Sequence, residues 1–473
     1  MIFIFKKKFI LFLILSIGIL FRVYNLNYDD LWYDEIISFW VANPLLTFED
    51  TKYIHNQIET TSILYNLILK KFYYLFGYSP FGGRFLSVIF GILSIFSIIY
   101  LDKKINKNNS YIFSAFLISL NIFLIGYSQE LRNYSLFFLS SSLTIIFFIK
   151  YSSDVNNIRN LIIFSLILLI NTLVHPFGFI LLFSIFFYEL LKAYFKNSFS
   201  IKMTIALLII LILSSLYYYQ LFTDITFSKT DYWWMKNPSL SFYSNFYFSN
   251  YFGSRLVGGV HLLILIYLIF KNFNEFKKIN YLTFFLIIII FSYIIPILFG
   301  YLFKPTITPR YIIFNLIPIV LLISSLTFKF ETKKIKLLII IILCSLTIGN
   351  HFTEQTLIQF FKSRVVYKPE YTSALNFINS SNYKEYTLLV EKMKDNNTTT
   401  DAINNYISYL SKINNFNVKY IPQSELISGK LFWYICFHDI NEKSCAVKEN
   451  IKKFNILEEK YFNRVNLKLL EIY

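Results

Sequence analysis

The chain has 473 residues, of which 56% are hydrophobic, 20% aromatic and only 15% charged, with a formal net charge of +17 and a mean hydropathy of +0.52. So apolar a composition excludes an ordinary soluble domain and describes a polytopic membrane protein. The positive charge, which in a soluble chain would suggest nucleic acid, has another use here, and no nucleic-acid partner is expected.

Lys and Arg fall into short clusters between apolar runs: Lys6 to Lys8; Lys103, Lys104 and Lys107; Lys150 and Arg159; Lys192, Lys196 and Lys202; Lys271, Lys277 and Lys278; Lys329 to Lys336. They alternate with loops poor in Lys and Arg. Basic loops are retained on the cytoplasmic side, so the alternation is a topology map.

In chain order, residues 9 to 24 form a first span. Arg22-Val23-Tyr24-Asn25 offers no small-residue cleavage site, so the segment reads as an uncleaved anchor with the N-terminus inside. Residues 25 to 83 form a long external loop, in which Ile36 to Ala42 and Ile63 to Phe76 read as interfacial helices rich in aromatic residues. Spans follow at about 84–101, 111–126, 133–149, 159–174, 176–191, 203–221, 256–270, 281–302, 311–328 and 337–350. The expected fold is therefore an α-helical polytopic membrane protein of about eleven transmembrane helices. The odd number places the N-terminus in the cytoplasm and the C-terminal region outside, in the cytoplasmic (inner) membrane. The external loop from Phe222 to Arg255, with Tyr232-Trp233-Trp234-Met235, reads as a stacking surface or a lid that closes over a site, or else as an aromatic belt lying at the interface.

The transmembrane domain is expected over residues 1–350 and an extracytoplasmic domain over 351–473, where composition shifts to Lys, Glu, Asn and Tyr. Helices at Tyr371 to Ile378 and Ala402 to Ile413, and strands at Tyr386 to Val390, Leu431 to Phe437 and Val465 to Tyr473, make a small α/β layer suited to accessory packing or acceptor contact. Of three cysteines, Cys344 falls in a span, whereas Cys436 and Cys445 are both external and suit a disulfide in an oxidising compartment. Neither a CxxC pair nor HExxH occurs, so no structural metal site is predicted.

Chemistry has to be sought among charged residues on the external side, near the membrane: Asp34, Glu35, Glu59, Arg84, Glu130, Arg132, His175 and Arg310. Four loops supply them. A carboxylate there accepts a proton from an incoming hydroxyl or amine, or holds a substrate or metal; guanidinium groups bind a phosphate and stabilise its departing charge. This is equipment for moving a group off a lipid phosphate, and a sugar linked to a polyprenyl phosphate is the natural donor.

These residues also occur in stretches that resemble the C-type (GT-C fold) membrane glycosyltransferases, the group containing the dolichyl-phosphate-mannose protein mannosyltransferases and the aminoarabinose transferases of lipid A. Leu31-Trp32-Tyr33-Asp34-Glu35 is similar to the family's Asp-Glu pair after the first span. Glu59-Thr60-Thr61-Ser62-Ile63-Leu64-Tyr65 resembles an acidic residue followed by Pro-Pro-Leu-Tyr, with Ser62-Ile63 in place of the prolines. Phe81-Gly82-Gly83-Arg84-Phe85-Leu86-Ser87 with Phe90-Gly91 resembles the segment opening the second span. Tyr127-Ser128-Gln129-Glu130-Leu131-Arg132-Asn133-Tyr134 is the most specific match. His175 follows the fifth span, with Pro176 departing from the family's Tyr, and Pro309-Arg310-Tyr311 resembles the Arg-Tyr of the last external loop. The matches run from about residue 20 to residue 320 in the family's order.

The resemblance implies an inverting transfer of a sugar from a polyprenyl-phosphate donor to a lipid, glycan or protein acceptor at the outer face of the cytoplasmic membrane. It gives Asp34 the role of base and Glu35 a supporting one. Glu59, Glu130 and His175 would orient acceptor, sugar or arginine, and Arg84, Arg132 and Arg310 would bind the donor phosphate. A divalent cation, if one takes part, would use Asp34 and Glu59. A lipid-linked-oligosaccharide flippase or transporter, an O-antigen ligase-like enzyme, and an inactive scaffold relative are the alternatives. Against the transporter stands the lack of paired Gly/Pro-broken spans or of a repeat between the halves.

Overall fold

A computed structural model describes residues 2–27, 29–106, 108–196, 198–224, 235–352, 368–390, 397–422, 425, 429–437 and 454–473. Two compact units emerge. One comprises Met1–Tyr24, Glu59–Leu69 and Arg84–Lys362; the other comprises Asn25–Ile58, Lys70–Gly83 and Ser363–Tyr473. Cys445 and Tyr232-Trp233-Trp234 lie outside the described residues. Cys344 is free and Cys436 is disulfide-bonded.

The helices preceding the C-terminal region are α1 (Ile2–Val23), α2 (Tyr33–Val41), α3 (Phe48–Ile58), α4 (Leu64–Phe76), α5 (Pro80–Ile105), α6 (Ser110–Ser119), α7 (Ile122–Ser128), α8 (Tyr134–Ser153), α9 (Ile158–Val174), α10 (Gly178–Lys196), α11 (Ile201–Asp224), α12 (Leu240–Tyr243), α13 (Phe248–Phe252), α14 (Arg255–Lys271), α15 (Phe273–Phe276), α16 (Tyr281–Leu302), α17 (Leu316–Lys329) and α18 (Lys333–Phe352). Each of the eleven expected spans coincides with helix. By length and composition, six are long and apolar enough to cross a membrane: α5, α8, α10, α11, α16 and α18. The expected span at 111–126 is instead two helices, α6 and α7, bent by 56°. The other four are α1 with 22 residues, α9 with 17, α14 with 17 and α17 with 14. The interfacial helix expected from Ile63 is α4; its 13 residues reach only about 20 Å, short of the ~30 Å hydrocarbon core.

The bend between α6 and α7 has a local cause. Asn121 Oδ1 accepts from Leu124 N at 2.9 Å, which caps a new helix at that point. The last carbonyls of α6 are left for partners elsewhere: Arg22 donates to Ile118 O and Ser119 O at 3.1 and 2.7 Å, and His351 Nε2 lies 2.7 Å from Leu120 O. Pro80 opens α5 and Pro318 lies in the first turn of α17, positions that a helix tolerates, whereas Pro296 sits inside α16.

Hydroxyls tie the bundle together where lipid would offer no partner. Ser97 and Ser142 Oγ approach to 2.6 Å between α5 and α8. Asn171 on α9 donates to Ser140 and Ser141 Oγ on α8, both at 2.8 Å, and Thr172 meets Ser214 on α11 at 2.7 Å. The carboxylate of Asp102, fully buried, accepts from Ser110 Oγ, Ser324 Oγ and Asn106 Nδ2 at 2.5, 2.7 and 2.9 Å. These contacts join α5, α6 and α17.

In the other unit the described residues of the C-terminal region form α19 (Tyr371–Ser380), α20 (Asn397–Ile413) and five strands: β1 (Glu385–Val390), β2 (Lys419–Tyr420), β3 (Leu431–Phe437), β4 (Phe454–Phe462) and β5 (Val465–Ile472). Strand order is β2-β1-β3-β5-β4. β1 pairs in parallel with β2 and β3, and the pairs β3/β5 and β5/β4 are antiparallel. Trp433, Tyr434, Leu467 and Leu470 are buried on the sheet, and Ile378, Ala402 and Tyr406 are buried on the helices. In the same unit α2 and α20 meet through aromatic rings. Phe39 stacks on Tyr78 at 4.0 Å and meets Tyr406 and Tyr409 edge-on.

The turn from α9 into α10 tests this packing. A Cβ on Gly178 would sit 2.7 Å from Asn171 O and from Thr172 Cα, both backbone atoms. Gly178→Ala is expected to destabilise the detergent-solubilised protein by about 1–3 kcal/mol. Gly126→Ala, with nothing near the added methyl, should leave the melting temperature unchanged or slightly raised.

Candidate functional site

The expected site residues divide between the units. Glu59, Arg84, Glu130, Arg132, His175 and Arg310 belong to the larger unit, and Asp34 and Glu35 to the other.

In the larger unit the central contact is a buried ion pair. Arg132 Nη1 donates to Glu59 Oε1 at 2.5 Å and Nη2 to Glu59 Oε2 at 3.4 Å, a fork on both carboxylate oxygens. Glu59 is 6% and Arg132 8% exposed, so each charge depends on the other for the solvation that water no longer supplies. Glu59 leads into α4 without the expected prolines, and the local bonds show why none is needed. Ile63 N–H, which a proline would lack, donates to Tyr217 OH at 3.2 Å, and Ser62 Oγ accepts from Leu64 N at 3.2 Å.

Arg132 lies in the turn between α7 and α8, where its N–H bonds Glu130 O at 2.9 Å. Gln129 pins that turn by donating to Phe21 O and Tyr24 O, each at 3.0 Å, and Ser87 Oγ reaches Arg132 O at 3.4 Å. Asn133 Nδ2 donates to Val174 O at 2.8 Å, which couples the turn to the residue before His175. The Glu130 side chain is half-buried, and Arg84 is buried near the start of α5.

His175 ends α9, stacked on Phe137 at 4.9 Å and tilted against Tyr311, also at 4.9 Å. Its Nδ1 accepts from Phe177 N at 3.2 Å. Burial, then the charges of Arg132 and Arg310, push its pKa down from 6.5 to about 3. It is a neutral imidazole at physiological pH. The Arg310 guanidinium lies 5.8 Å from the Tyr134 ring and 5.5 Å from that of Tyr311. Aromatic faces attract a cation at this range.

In the other unit Asp34 and Glu35 occupy the first turn of α2, where acidic side chains favour the positive end of the helix. Asp34 is half-buried. Glu35 is fully buried; its Oε2 accepts from Trp32 N at 3.3 Å and from Lys368 Nζ at 2.7 Å. Just upstream, Asp30 accepts from Thr372 N and Oγ1, both at 2.7 Å, and so caps α19. Among the described residues no group of three or more His, Cys, Asp or Glu is arranged to hold a metal ion.

No protein-family model matches the chain, and no curated protein matches it in sequence. Solved structures do resemble it. One is ArnT from Cupriavidus metallidurans bound to undecaprenyl phosphate, with a TM-score of 0.56 and 9% identity over 97% of both chains. Its apo state gives 0.59 at the same identity and coverage. The Archaeoglobus fulgidus oligosaccharyltransferase AglB, in complex with an inhibitory peptide and a dolichol-phosphate, gives 0.51 at 10% identity over 91% of this chain and 69% of that one. The chain has the GT-C fold.

Within this GT-C fold, several supporting residues carry no sequence signal. Arg22 is 1% exposed and braces the α6–α7 bend, yet in sequence it marks only the end of a span. Lys368 and Asp30 find partners 333 and 342 positions away, which no local pattern announces.

Breaking the Glu59–Arg132 pair strands a buried charge, so Glu59→Leu or Arg132→Met alone is expected to cost on the order of 3–5 kcal/mol. The double variant should melt close to wild type, as a double-mutant cycle in detergent can show. The histidine gives a pH prediction. Its folded pKa of about 3 lies below the ordinary 6.5, so its contribution to stability is complete above pH 6.5 and is lost as pH falls toward 3. Replacing His175 with Gln should flatten that acid limb in melting experiments from pH 7 to pH 4.

Proposed function

We propose that the chain is a glycosyltransferase that moves a sugar from a polyprenyl-phosphate donor to a lipid, glycan or protein acceptor at the outer face of the cytoplasmic membrane. The observation that carries this reading is the full-length likeness to a transferase bound to undecaprenyl phosphate, supported by buried and half-buried arginines of the kind that binds phosphate.

In this reading the Asp34 carboxylate takes the proton from the acceptor hydroxyl or amine as that atom bonds to the anomeric carbon. The bond from that carbon to the phosphate oxygen breaks, and polyprenyl phosphate leaves with the electron pair. One displacement inverts the anomeric configuration; two would retain it. Arg310, over Tyr134 and Tyr311, stabilises the departing phosphate together with Arg84 or Arg132. Glu59 holds Arg132, and Glu35, Glu130 and His175 orient the remaining groups. His175, neutral across the working range, serves by hydrogen bonding rather than by charge.

Membranes containing the wild-type chain should transfer label from a polyprenyl-phosphate sugar, and Asp34→Asn should lower transfer by about 100-fold or more at equal protein level. Unchanged transfer by that variant excludes Asp34 as the base. Arg310→Ala should raise the donor KM and lower kcat without lowering the melting temperature; a fall in melting temperature alone would make Arg310 a structural residue.

A further inference from the structure

Beyond the reaction itself, we infer that Lys368 is a positioning residue for the acid pair Asp34–Glu35 and acts through Glu35. This rests on the transferase reading above. α2 has only 9 residues, too few to be stable as an isolated helix in water. Its start is therefore fixed by what it touches, and within its unit much of that comes from the C-terminal region. Asp30 receives two hydrogen bonds from Thr372. Leu31 N donates to Tyr406 OH at 3.1 Å, and Tyr406 OH in turn lies 3.3 Å from Asp30 Oδ1. Lys368 supplies the ion pair of this set, 2.7 Å from Glu35 Oε2, with side-chain exposures of 19% for the lysine and 0% for the glutamate.

Lys368 is itself held by the turn that joins β4 to β5. Asn463 Nδ2 donates to Lys368 O at 2.8 Å. The backbone of Asn463 pairs with Glu370, its N–H going to Glu370 Oε2 at 2.8 Å and its carbonyl accepting from Glu370 N at 3.1 Å. A continuous run of bonds thus leads from the β4–β5 turn through residues 368–370 to Glu35, the neighbour of Asp34. The C-terminal region, which the sequence suits to accessory packing or acceptor contact, has a direct part in setting where the first turn of α2 begins.

A residue of this kind changes turnover more than donor binding, because the donor phosphate is assigned to other side chains. With full-length protein in vesicles and the labelled polyprenyl-phosphate sugar that the wild-type chain accepts, Lys368→Met should lower kcat by about 10- to 100-fold and leave the donor KM within about twofold; Lys368→Arg, which keeps the charge, should recover most of the loss. Asn463→Ala, which keeps the lysine but frees its backbone, should fall between them. Wild-type kcat in Lys368→Met overturns the proposal. So does Lys368→Arg failing as completely as Lys368→Met, which marks the residue as packing only. If Lys368→Met does not accumulate, wild-type kcat in Asn463→Ala overturns it. A wild-type chain that transfers nothing defeats the transferase reading instead. The pairing is then judged by melting of Lys368→Met, Glu35→Gln and their double variant, where simple additivity refutes it.

Discussion

The structure depends on how it carries charge away from water. An unpaired charge in an apolar bundle is costly enough that a side chain such as Arg132 persists there only with an opposite charge or several hydrogen bonds around it. Several solutions appear among the described residues. Arg132 is forked on Glu59, and Glu35 is paired with Lys368. Arg22 is spread over the carbonyls of Gly18, Ile118 and Ser119. Asp102 is surrounded by two serine hydroxyls and an amide. Each fixes backbone as well as charge, since the partners come from different elements. Arg22 holds the bent helix pair whose second half ends at the Tyr127–Arg132 stretch, and the Glu59–Arg132 fork anchors that stretch to the entry of α4.

Much of the helical architecture was readable because its cause is local. A long run of apolar residues bounded by Lys or Arg identifies a helix by its length and composition, and every expected span coincides with helix. Strand β3 was equally legible, since Leu431 to Phe437 is a continuous apolar and aromatic run in which Phe432 to Cys436 are buried. Strand β4 was not. Phe454 to Phe462 is mostly exposed and interrupted by Glu458, Glu459 and Lys460, so its strand character comes from pairing with β5 rather than from its own pattern. The bend at Asn121 escaped for a related reason: hydropathy runs unbroken through it, and only the capping side chain shows that the helix restarts.

The candidate site was legible in residue types and less so in partners. Arginine and carboxylate beside apolar spans announce themselves by their cost. That Arg132 pairs with Glu59, that Arg310 lies beside the rings of Tyr134 and Tyr311, and that Glu35 faces a lysine 333 positions away are facts of tertiary structure. The replacement of two prolines by Ser62-Ile63 shows the same division. In sequence it is a departure from a pattern; in the structure Tyr217 and Ser62 supply the hydrogen bonds that make it stable.

The proposed lipid-phosphate donor is the claim on which the rest of the functional reading stands. The most direct test is native mass spectrometry of the purified full-length chain, with polyprenyl phosphate and the matching polyprenol offered at equal concentration. Retention of the phosphate in clear preference to the alcohol is expected, with the preference reduced by Arg310→Ala. Equal retention of the two lipids, or a preference untouched by loss of Arg310, would contradict it.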